Sequence, residues 1–76
     1  MNIISLDQMI VGQSGKVEEL YGHSSVCHRL LEMGVTRGAA IKVVRFAPMG
    51  DPIDVKIRGY HLSLRRQEAQ AIRVLI

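Results

Sequence analysis

The sequence predicts a mainly β fold, a small five-stranded barrel with one short inserted helix, and three observations support this prediction. A short helical segment is stopped by Gly34, since glycine readily takes the left-handed conformation that ends helices. A second glycine, Gly38, precedes a stretch in which apolar and polar residues alternate. Residues 47–52 then carry two prolines around a glycine, a pattern typical of a tight hairpin turn. Short strands joined by tight connections are therefore expected.

The amino-terminal part predicts a turn followed by a strand. Residues 5–9 are expected to form a short capped turn, and the glycines and serine of residues 12–15 interrupt the backbone after it. The first strand is predicted at residues 16–20. Its two adjacent glutamates, Glu18 and Glu19, break strict alternation and indicate a β-bulge.

A helix is predicted from a serine N-cap within residues 22–25 to Met33, with Gly34 in the position after its carboxyl end. Its apolar residues fall within one arc of the helical wheel and its polar residues lie opposite. About ten residues are too few for a stable isolated helix, so we expect it to pack on the sheet. The apolar arc comprises Val26, Cys27, Leu30, Leu31 and Met33, and the polar side comprises His28, Arg29 and Glu32.

The remaining strands follow in quick succession. Residues 41–46 have no purely polar face, which indicates partial cover on both sides. Residues 53–58 alternate apolar and charged side chains, and Gly59 separates them from a further strand at residues 60–64. These two segments are typical of half-buried strands joined by a tight turn.

The carboxyl-terminal part completes the predicted barrel. Residues 65–70 are rich in helix formers and are expected to form a helical or 3₁₀ connection. The last strand, at residues 71–76, should pair with the first strand, because an apolar terminus is costly to expose. Five such strands and one helix predict an SH3-like barrel that forms a single domain over residues 1–76, with an aliphatic core.

Composition limits the possible functions. The 76 residues carry a formal net charge of +3, with basic, acidic and apolar residues interspersed, which is typical of a soluble surface. A single cysteine, Cys27, excludes an internal disulfide and suits a reducing compartment, so a cytoplasmic location is expected. No segment approaches the length of a membrane span.

Catalytic and metal-binding patterns are weak. No nucleophile–base spacing or phosphate-binding loop is present, so an enzyme is not expected, and no cofactor is indicated. His23 and Cys27 stand four residues apart, as two metal ligands on a helix can, but structural roles are favoured for both. Asp51 and Asp54 are expected to bond nearby backbone or to face solvent.

Nucleic acid is not the expected partner, but a nucleic-acid interface is an alternative that the sequence leaves open. Six basic residues can line one outer surface and attract phosphates, although no recognition helix is evident and aromatic stacking residues are scarce. These residues are Lys42, Arg45, Lys56, Arg58, Arg65 and Arg66.

Binding of another protein is the favoured function. A helix that lies across a small barrel creates a groove beside it, bordered by the loop of residues 34–38 and by the neighbouring strand. The candidate partner-binding residues are Arg29, Leu30, Leu31, Glu32, Met33, Gly34 and Arg37. Most of the apolar area among them is expected to be buried, with Arg29, Glu32 and one leucine edge accessible.

Four segments, at residues 29–34, 38–44, 47–52 and 64–72, together resemble the FeoA family in order and spacing. The resemblance implies an SH3-like barrel with an inserted helix. It also implies a cytosolic, non-catalytic role in bacterial ferrous iron uptake beside FeoB, a membrane permease with a GTP-binding domain. Weak self-association is left open.

Similar barrels form the carboxyl-terminal domain of iron- and manganese-dependent transcriptional repressors. A full repressor would carry a winged-helix domain and a metal-binding dimerisation domain before the barrel, and neither is expected within these 76 residues. A repressor domain is therefore the second interpretation of the resemblance.

Overall fold

The computed structural model describes residues 2–76, and its six strands confirm a mainly β fold. One long sheet holds all six strands, and two short α-helices and a 3₁₀ turn connect them. The elements are β1 (Ile3–Ser5), the 3₁₀ turn (Leu6–Gln8), β2 (Ser14–Leu20), α1 (Ser24–Glu32), β3 (Ala40–Phe46), β4 (Ile53–Ile57), β5 (Tyr60–Leu64), α2 (Arg66–Ala69) and β6 (Ile72–Leu75).

The sheet is antiparallel, with strand order β1-β6-β2-β3-β4-β5. The expected pairing of the last strand with the strand at residues 16–20 is confirmed, since β6 pairs with β2. The strand count is six rather than five, because β1 pairs with the other edge of β6. A three-residue strand has no alternation to detect, and its partner is at the opposite end of the chain. The hydrogen-bonded ladder ends at β1 and β5, so these two strands form the edges of the sheet.

The strand β2 begins earlier than the sequence indicates, because Gly15 belongs to it rather than to the preceding turn. A Cβ atom at Gly15 would lie 2.7 Å from Val74 Cγ1 and would collide with the carbonyl oxygen of Leu75. Glycine at this position therefore lets β6 approach β2 closely, which is a known use of glycine within strands.

Two β-bulges bend the sheet. The register between β2 and β6 shifts between Val17 and Glu19, which confirms the bulge predicted from the two glutamates. A second shift lies in β3, where Val43 and Arg45 pair with consecutive residues of β4. The extra residue moves Phe46 towards the core, where it packs as a half-buried side chain. This bulge explains why the sequence of β3 has no purely polar face.

The core is aliphatic, as predicted. Its buried hydrophobic residues come from strands β2 to β6, from both α-helices, from the 3₁₀ turn and from the connections between them, and none of those in residues 2–76 is aromatic. They are Leu6, Met9, Val17, Leu30, Val35, Ala39, Ile41, Val43, Ile53, Val55, Ile57, Leu64, Ala69, Ala71, Ile72 and Val74.

Both hairpins have the tight turns that the sequence predicts. The amide of Gly50 donates to the carbonyl of Ala47 at 2.7 Å, which closes the turn between β3 and β4. Between β4 and β5 the turn consists of Arg58 and Gly59, both with positive φ, at 49° and 84°. Two positive φ values in a two-residue turn match the twist of the flanking strands.

The ends of α1 differ in how well the sequence predicts them. The carboxyl end is as expected, since Gly34 follows the helix with φ of 91°. The amino-terminal cap is His23 rather than a serine, which corrects the prediction. The backbone of His23 is extended and Ser24 is already helical, so both serines lie inside the first turn, and the side chain of His23 forms no capping hydrogen bond.

Candidate functional site

A groove of about 400 Å³ runs between α1 and β2. We call it the helix–strand groove, and it lies on the side of the helix where the sequence predicts a docking surface. The helix contributes one wall, the end of β2 contributes the other, and the loop after the helix closes one end. The lining residues are Glu18, Glu19, Leu20, Cys27, Leu31 and Arg37.

The apolar part of the groove comes from the helix. The apolar arc of α1 is wider than the surface that the sheet covers, so its members differ in burial. Leu30 is fully buried in the core, whereas Leu31 is 49% exposed and faces the groove. Cys27, one turn earlier, is half-buried beside it. The groove therefore offers an aliphatic contact that no part of residues 2–76 fully covers.

The opposite wall is a strand edge. β2 pairs with β3 only through residues 14–16, and Val17 then exchanges backbone hydrogen bonds with Gly38 and Ala39 at 2.7 and 2.9 Å. Beyond that point β2 pairs with β6 alone. The amide of Tyr21 donates to the carbonyl of Ala71, just before β6, at 2.6 Å. Because successive residues of a strand direct their N–H and C=O groups to opposite edges, those of Leu20 lie on the other edge, beside the groove. Such an edge accepts an added extended segment.

Charge in the groove is concentrated at its rim. Arg37 Nη2 lies 3.5 Å from Glu18 Oε1, and the two side chains are 78% and 33% exposed. An exposed pair of this kind stabilises the fold by at most about 1 kcal/mol, so either member can exchange its partner at low cost. Glu19 is exposed and adds a second carboxylate.

The loop that carries Arg37 is fixed by the β4–β5 hairpin. The hydroxyl of Tyr60 donates to the carbonyl of Met33, and Arg58 donates to the carbonyl of Gly34 at 3.3 Å and to the hydroxyl of Thr36. These contacts satisfy carbonyl groups that the end of a helix leaves without partners. A cation beside a helix carboxyl terminus is also electrostatically favourable. The hairpin thus positions the end of the groove.

The structure brings two of the seven predicted partner-binding residues together in the groove, Leu31 and Arg37. Leu30 lies in the core, and Met33 and Gly34 are half-buried at the end of the helix. These three residues therefore lie beneath the surface and do not line the groove.

The other two predicted residues lie on exposed faces of α1 outside the groove lining. Arg29 pairs with Glu68 of α2, and Glu32 lies 3.9 Å from His28 on the exposed side of the helix. Four lining residues were not among those predicted from the sequence: Glu18, Glu19, Leu20 and Cys27. The available signal for the first three was the predicted bulge, because it lies in the part of β2 that pairs with β6 alone.

The residues considered as metal ligands, and Asp51 of the considered carboxylate pair, have other contacts. His23 caps α1 through its backbone, and Cys27 Sγ lies 4.0 Å from the carbonyl of Gly22. Asp51 accepts a hydrogen bond from the amide of Arg66 at 3.0 Å, so it bonds backbone that is distant in sequence. Within residues 2–76, no three His, Cys, Asp or Glu side chains cluster closely enough to hold a metal ion.

The helices described within residues 2–76 are all too short and too polar to cross a lipid bilayer.

The chain is similar to a known family and to solved structures of its members. Residues 4–75 match the family model described as the FeoA domain. A relative from Porphyromonas gingivalis, described as an Fe(2+) transport protein A/Fe(2+) transporter FeoB fusion protein, is 36% identical over 69 residues. The matched region is 91% of this chain but 8% of that relative.

Two solved structures share the fold along nearly their whole length. A FeoA-like protein from Clostridium acetobutylicum has a TM-score of 0.92 at 38% identity, covering 100% of this chain and 88% of that one. A FeoA from Stenotrophomonas maltophilia, solved with zinc and described as a prokaryotic SH3 domain protein, has a TM-score of 0.83 at 26% identity. That alignment covers 95% of this chain and 89% of the other.

The repressor barrels noted in the sequence analysis also share the fold. A manganese-dependent transcriptional repressor in complex with manganese has a TM-score of 0.90 at 21% identity, covering 99% of this chain and 37% of that chain. At this identity the likeness concerns the fold alone.

Proposed function

Because this chain belongs to the FeoA family, we propose that it is an accessory protein of ferrous iron uptake that binds and modulates the cytosolic portion of a FeoB-type transporter. The family is associated with ferrous iron transport and is a transport accessory family rather than an enzyme family. The role proposed for this chain is accordingly one of binding, carried out in the cytoplasm at the inner face of the membrane.

The observation that supports this proposal best is the fused relative. In Porphyromonas gingivalis a region 36% identical to this chain lies in one polypeptide with a FeoB transporter. Fusion raises the effective concentration of two domains for each other, so it favours a contact between them. The proposed contact needs a binding surface on this domain.

The helix–strand groove is the surface proposed for that contact. Leu31 supplies exposed aliphatic area at its centre, and burying it against a partner is favourable. The edge of β2 beside Leu20 supplies backbone hydrogen-bonding groups for an extended segment. The exposed pair of Arg37 and Glu18 supplies charges that a partner can engage.

Arg29 and Glu32 are proposed as flanking contacts on the exposed side of α1, whereas Leu30, Met33 and Gly34 shape the surface without reaching it. The repressor alternative rests on a shared fold at 21% identity, which supports no shared role.

A titration of the full chain against the cytosolic portion of the transporter tests the proposal. We expect saturable binding that Leu31→Gln and Arg37→Glu each weaken by about tenfold or more, as residues at the centre of an interface do. Fluorescence anisotropy of the labelled chain measures the dissociation constants.

Matched controls lie on another face. Val44→Gln replaces a 37% exposed aliphatic side chain, and Arg45→Glu breaks an exposed ion pair with Asp54 at 3.4 Å. These variants should bind within about twofold of the parent, since exposed positions outside an interface contribute little. Absence of binding by the parent would refute the transporter as partner, and equal losses in groove and control variants would refute the groove as its site.

A further inference from the structure

Four strands carry a row of polar side chains straight across the outer face of the sheet. Ser14 pairs with Lys42, Lys42 with Lys56, and Lys56 with His61, in β2, β3, β4 and β5 respectively. All four residues are exposed, because their neighbours along β3 and β4 point into the core. Two lysines, Lys42 and Lys56, therefore stand directly opposite each other on the exposed face of the sheet.

This arrangement is unfavourable for the folded chain alone. Like charges directly opposite in a sheet destabilise it. The ion pairs found within residues 2–76 use histidine and arginine, and neither Lys42 nor Lys56 takes part in one. The nearest carboxylate along β4, that of Asp54, is engaged by Arg45. The positive charge of the two lysines is thus available to an anionic partner outside the chain.

Two further cations extend the row. Lys16 lies two residues after Ser14 on β2, and Arg58 lies two residues after Lys56 in the β4–β5 turn. A shallow hollow of about 210 Å³ lies among Lys42, Lys56 and Arg58. We call this surface the basic sheet face, and it comprises Lys16, Lys42, Lys56, Arg58 and His61.

An exposed aliphatic turn adjoins the basic sheet face. Ile10 and Val11 are 69% and 56% exposed, and the turn is ordered by a hydrogen bond from the amide of Gln13 to the carbonyl of Ile10 at 3.0 Å. The amide of Gly12 donates to the carbonyl of Val43 at 2.8 Å, so the turn is held beside β3 next to Lys42. We call residues 10–11 the aliphatic tip.

We propose that the chain binds an anionic lipid surface directly, with the basic sheet face on the phosphate headgroups and the aliphatic tip in the acyl boundary. Clustered lysine and arginine attract anionic lipids, and adjacent aliphatic side chains add apolar burial. Nucleic acid would satisfy the cations but offers no apolar phase for Ile10 and Val11. A bilayer satisfies both features. This interaction needs no transporter, so it goes beyond the function proposed above.

Co-sedimentation of the full chain with lipid vesicles tests this proposal. The probes are vesicles of phosphatidylcholine alone and vesicles in which about a third of the lipid is phosphatidylglycerol. We expect binding to the anionic vesicles only, decreasing as salt is raised. Lys42→Gln with Lys56→Gln should weaken it by roughly 20-fold, and Ile10→Ser with Val11→Ser by roughly tenfold.

The control variant is Arg65→Gln with Arg66→Gln, two exposed cations of the α2 region. It lowers the formal net charge of +3 by the same two units as the double lysine variant. Binding within about threefold of the parent is expected, because the surface potential of a bilayer acts over about one Debye length.

Three results would overturn the proposal. The first is no co-sedimentation at low salt, and the second is an equal loss in the lysine and arginine double variants. The third is that a mixed-sequence oligonucleotide displaces the chain from the vesicles and binds it through Lys42 and Lys56 without need of the aliphatic tip. That result would assign the basic sheet face to nucleic acid. Since no transporter is present, these outcomes are independent of the test of the groove.

Discussion

The guanidinium of Arg29 in α1 donates a hydrogen bond to the carboxylate of Glu68 in α2. Glu68 is the one charged residue that is buried within residues 2–76. The other carboxylate oxygen, Oε1, accepts the backbone amide of Arg65 at 2.8 Å. Both oxygens of a carboxylate with an 8% exposed side chain are thus hydrogen-bonded, although the side chain of Arg29 is 64% exposed. The pair joins the two helices, which are far apart in sequence.

Arg29→Ala is expected to destabilise the fold by about 1–2 kcal/mol, because it leaves a buried carboxylate with a single hydrogen-bond partner. For a chain of this size that corresponds to a fall in melting temperature of roughly 4–16 °C. Thermal and urea unfolding of Arg29→Ala, Glu68→Gln and the double variant measure the coupling. Glu68→Gln keeps an acceptor for Arg65 and removes the buried charge, so it serves as the matched change. Strictly additive losses would show that the two side chains do not interact.

This relationship also changes how Arg29 is used as a probe. The sequence places Arg29 among the partner-binding residues, and a charge reversal there would break the pair with Glu68. A loss of partner binding by such a variant would therefore report stability as well as contact. Leu31 and Arg37 lack that complication, because the first is half exposed and the second forms an exposed pair.

Gly34→Ala is expected to destabilise the fold by about 2–3 kcal/mol, since two effects add. The residue has φ of 91°, and a Cβ atom would collide with the hydroxyl of Tyr60. Gly38→Ala is the control, because Gly38 has φ of 86° but open space around the added atom. Its cost should be about 1–2 kcal/mol, from backbone strain alone.

Tyr60→Phe separates the two effects at Gly34. In the parent it removes the hydrogen bond to the carbonyl of Met33 and should cost about 1 kcal/mol. In the Gly34→Ala background it removes the colliding hydroxyl, so it should be neutral or stabilising in urea unfolding. An equal cost in both backgrounds would contradict the close approach of Tyr60 to Gly34.

Local patterns predicted most of this fold. The alternation of Ile53, Val55 and Ile57, the bulge at the paired glutamates and the stop at Gly34 all depend on neighbouring residues, and the structure confirms each of them. The strand β1 was missed because its existence depends on β6 at the other end of the chain.

The candidate site was harder to predict, for the same reason. The helical period assigns Leu30 and Leu31 to one arc, but only the placement of α1 on the sheet decides which of the two is buried. The pairing of Arg29 with Glu68 and the approach of Tyr60 to Gly34 join segments that are distant in sequence. Spacing along the chain carries no signal for such contacts.

Asp51→Ala is expected to destabilise the fold by about 1 kcal/mol, because the carboxylate of Asp51 accepts the amide of Arg66 at the start of α2. Asp51→Asn should cost less, since its amide oxygen keeps the acceptor. Asp54→Ala is the control and should cost under about 1 kcal/mol, as its pair with Arg45 is solvent-exposed. Urea unfolding of the three variants measures these differences. A larger loss for Asp54→Ala than for Asp51→Ala would contradict the assigned roles.

Gly15→Ala should be the most damaging of the small substitutions, because the added methyl group points at backbone and not at a movable side-chain end. The nearest atom is the carbonyl oxygen of Leu75, with Val74 Cγ1 at 2.7 Å and Ile76 Cγ2 at 2.9 Å. Separating β6 from β2 to make room weakens the pairing of these two strands, at an expected cost of about 3 kcal/mol. Ser14→Ala, at the adjacent exposed position, should change stability by under about 0.5 kcal/mol. Equal free energies of unfolding in urea for Gly15→Ala and Ser14→Ala would show that β6 does not pack closely against β2 at Gly15. The glycine would then be needed for another reason.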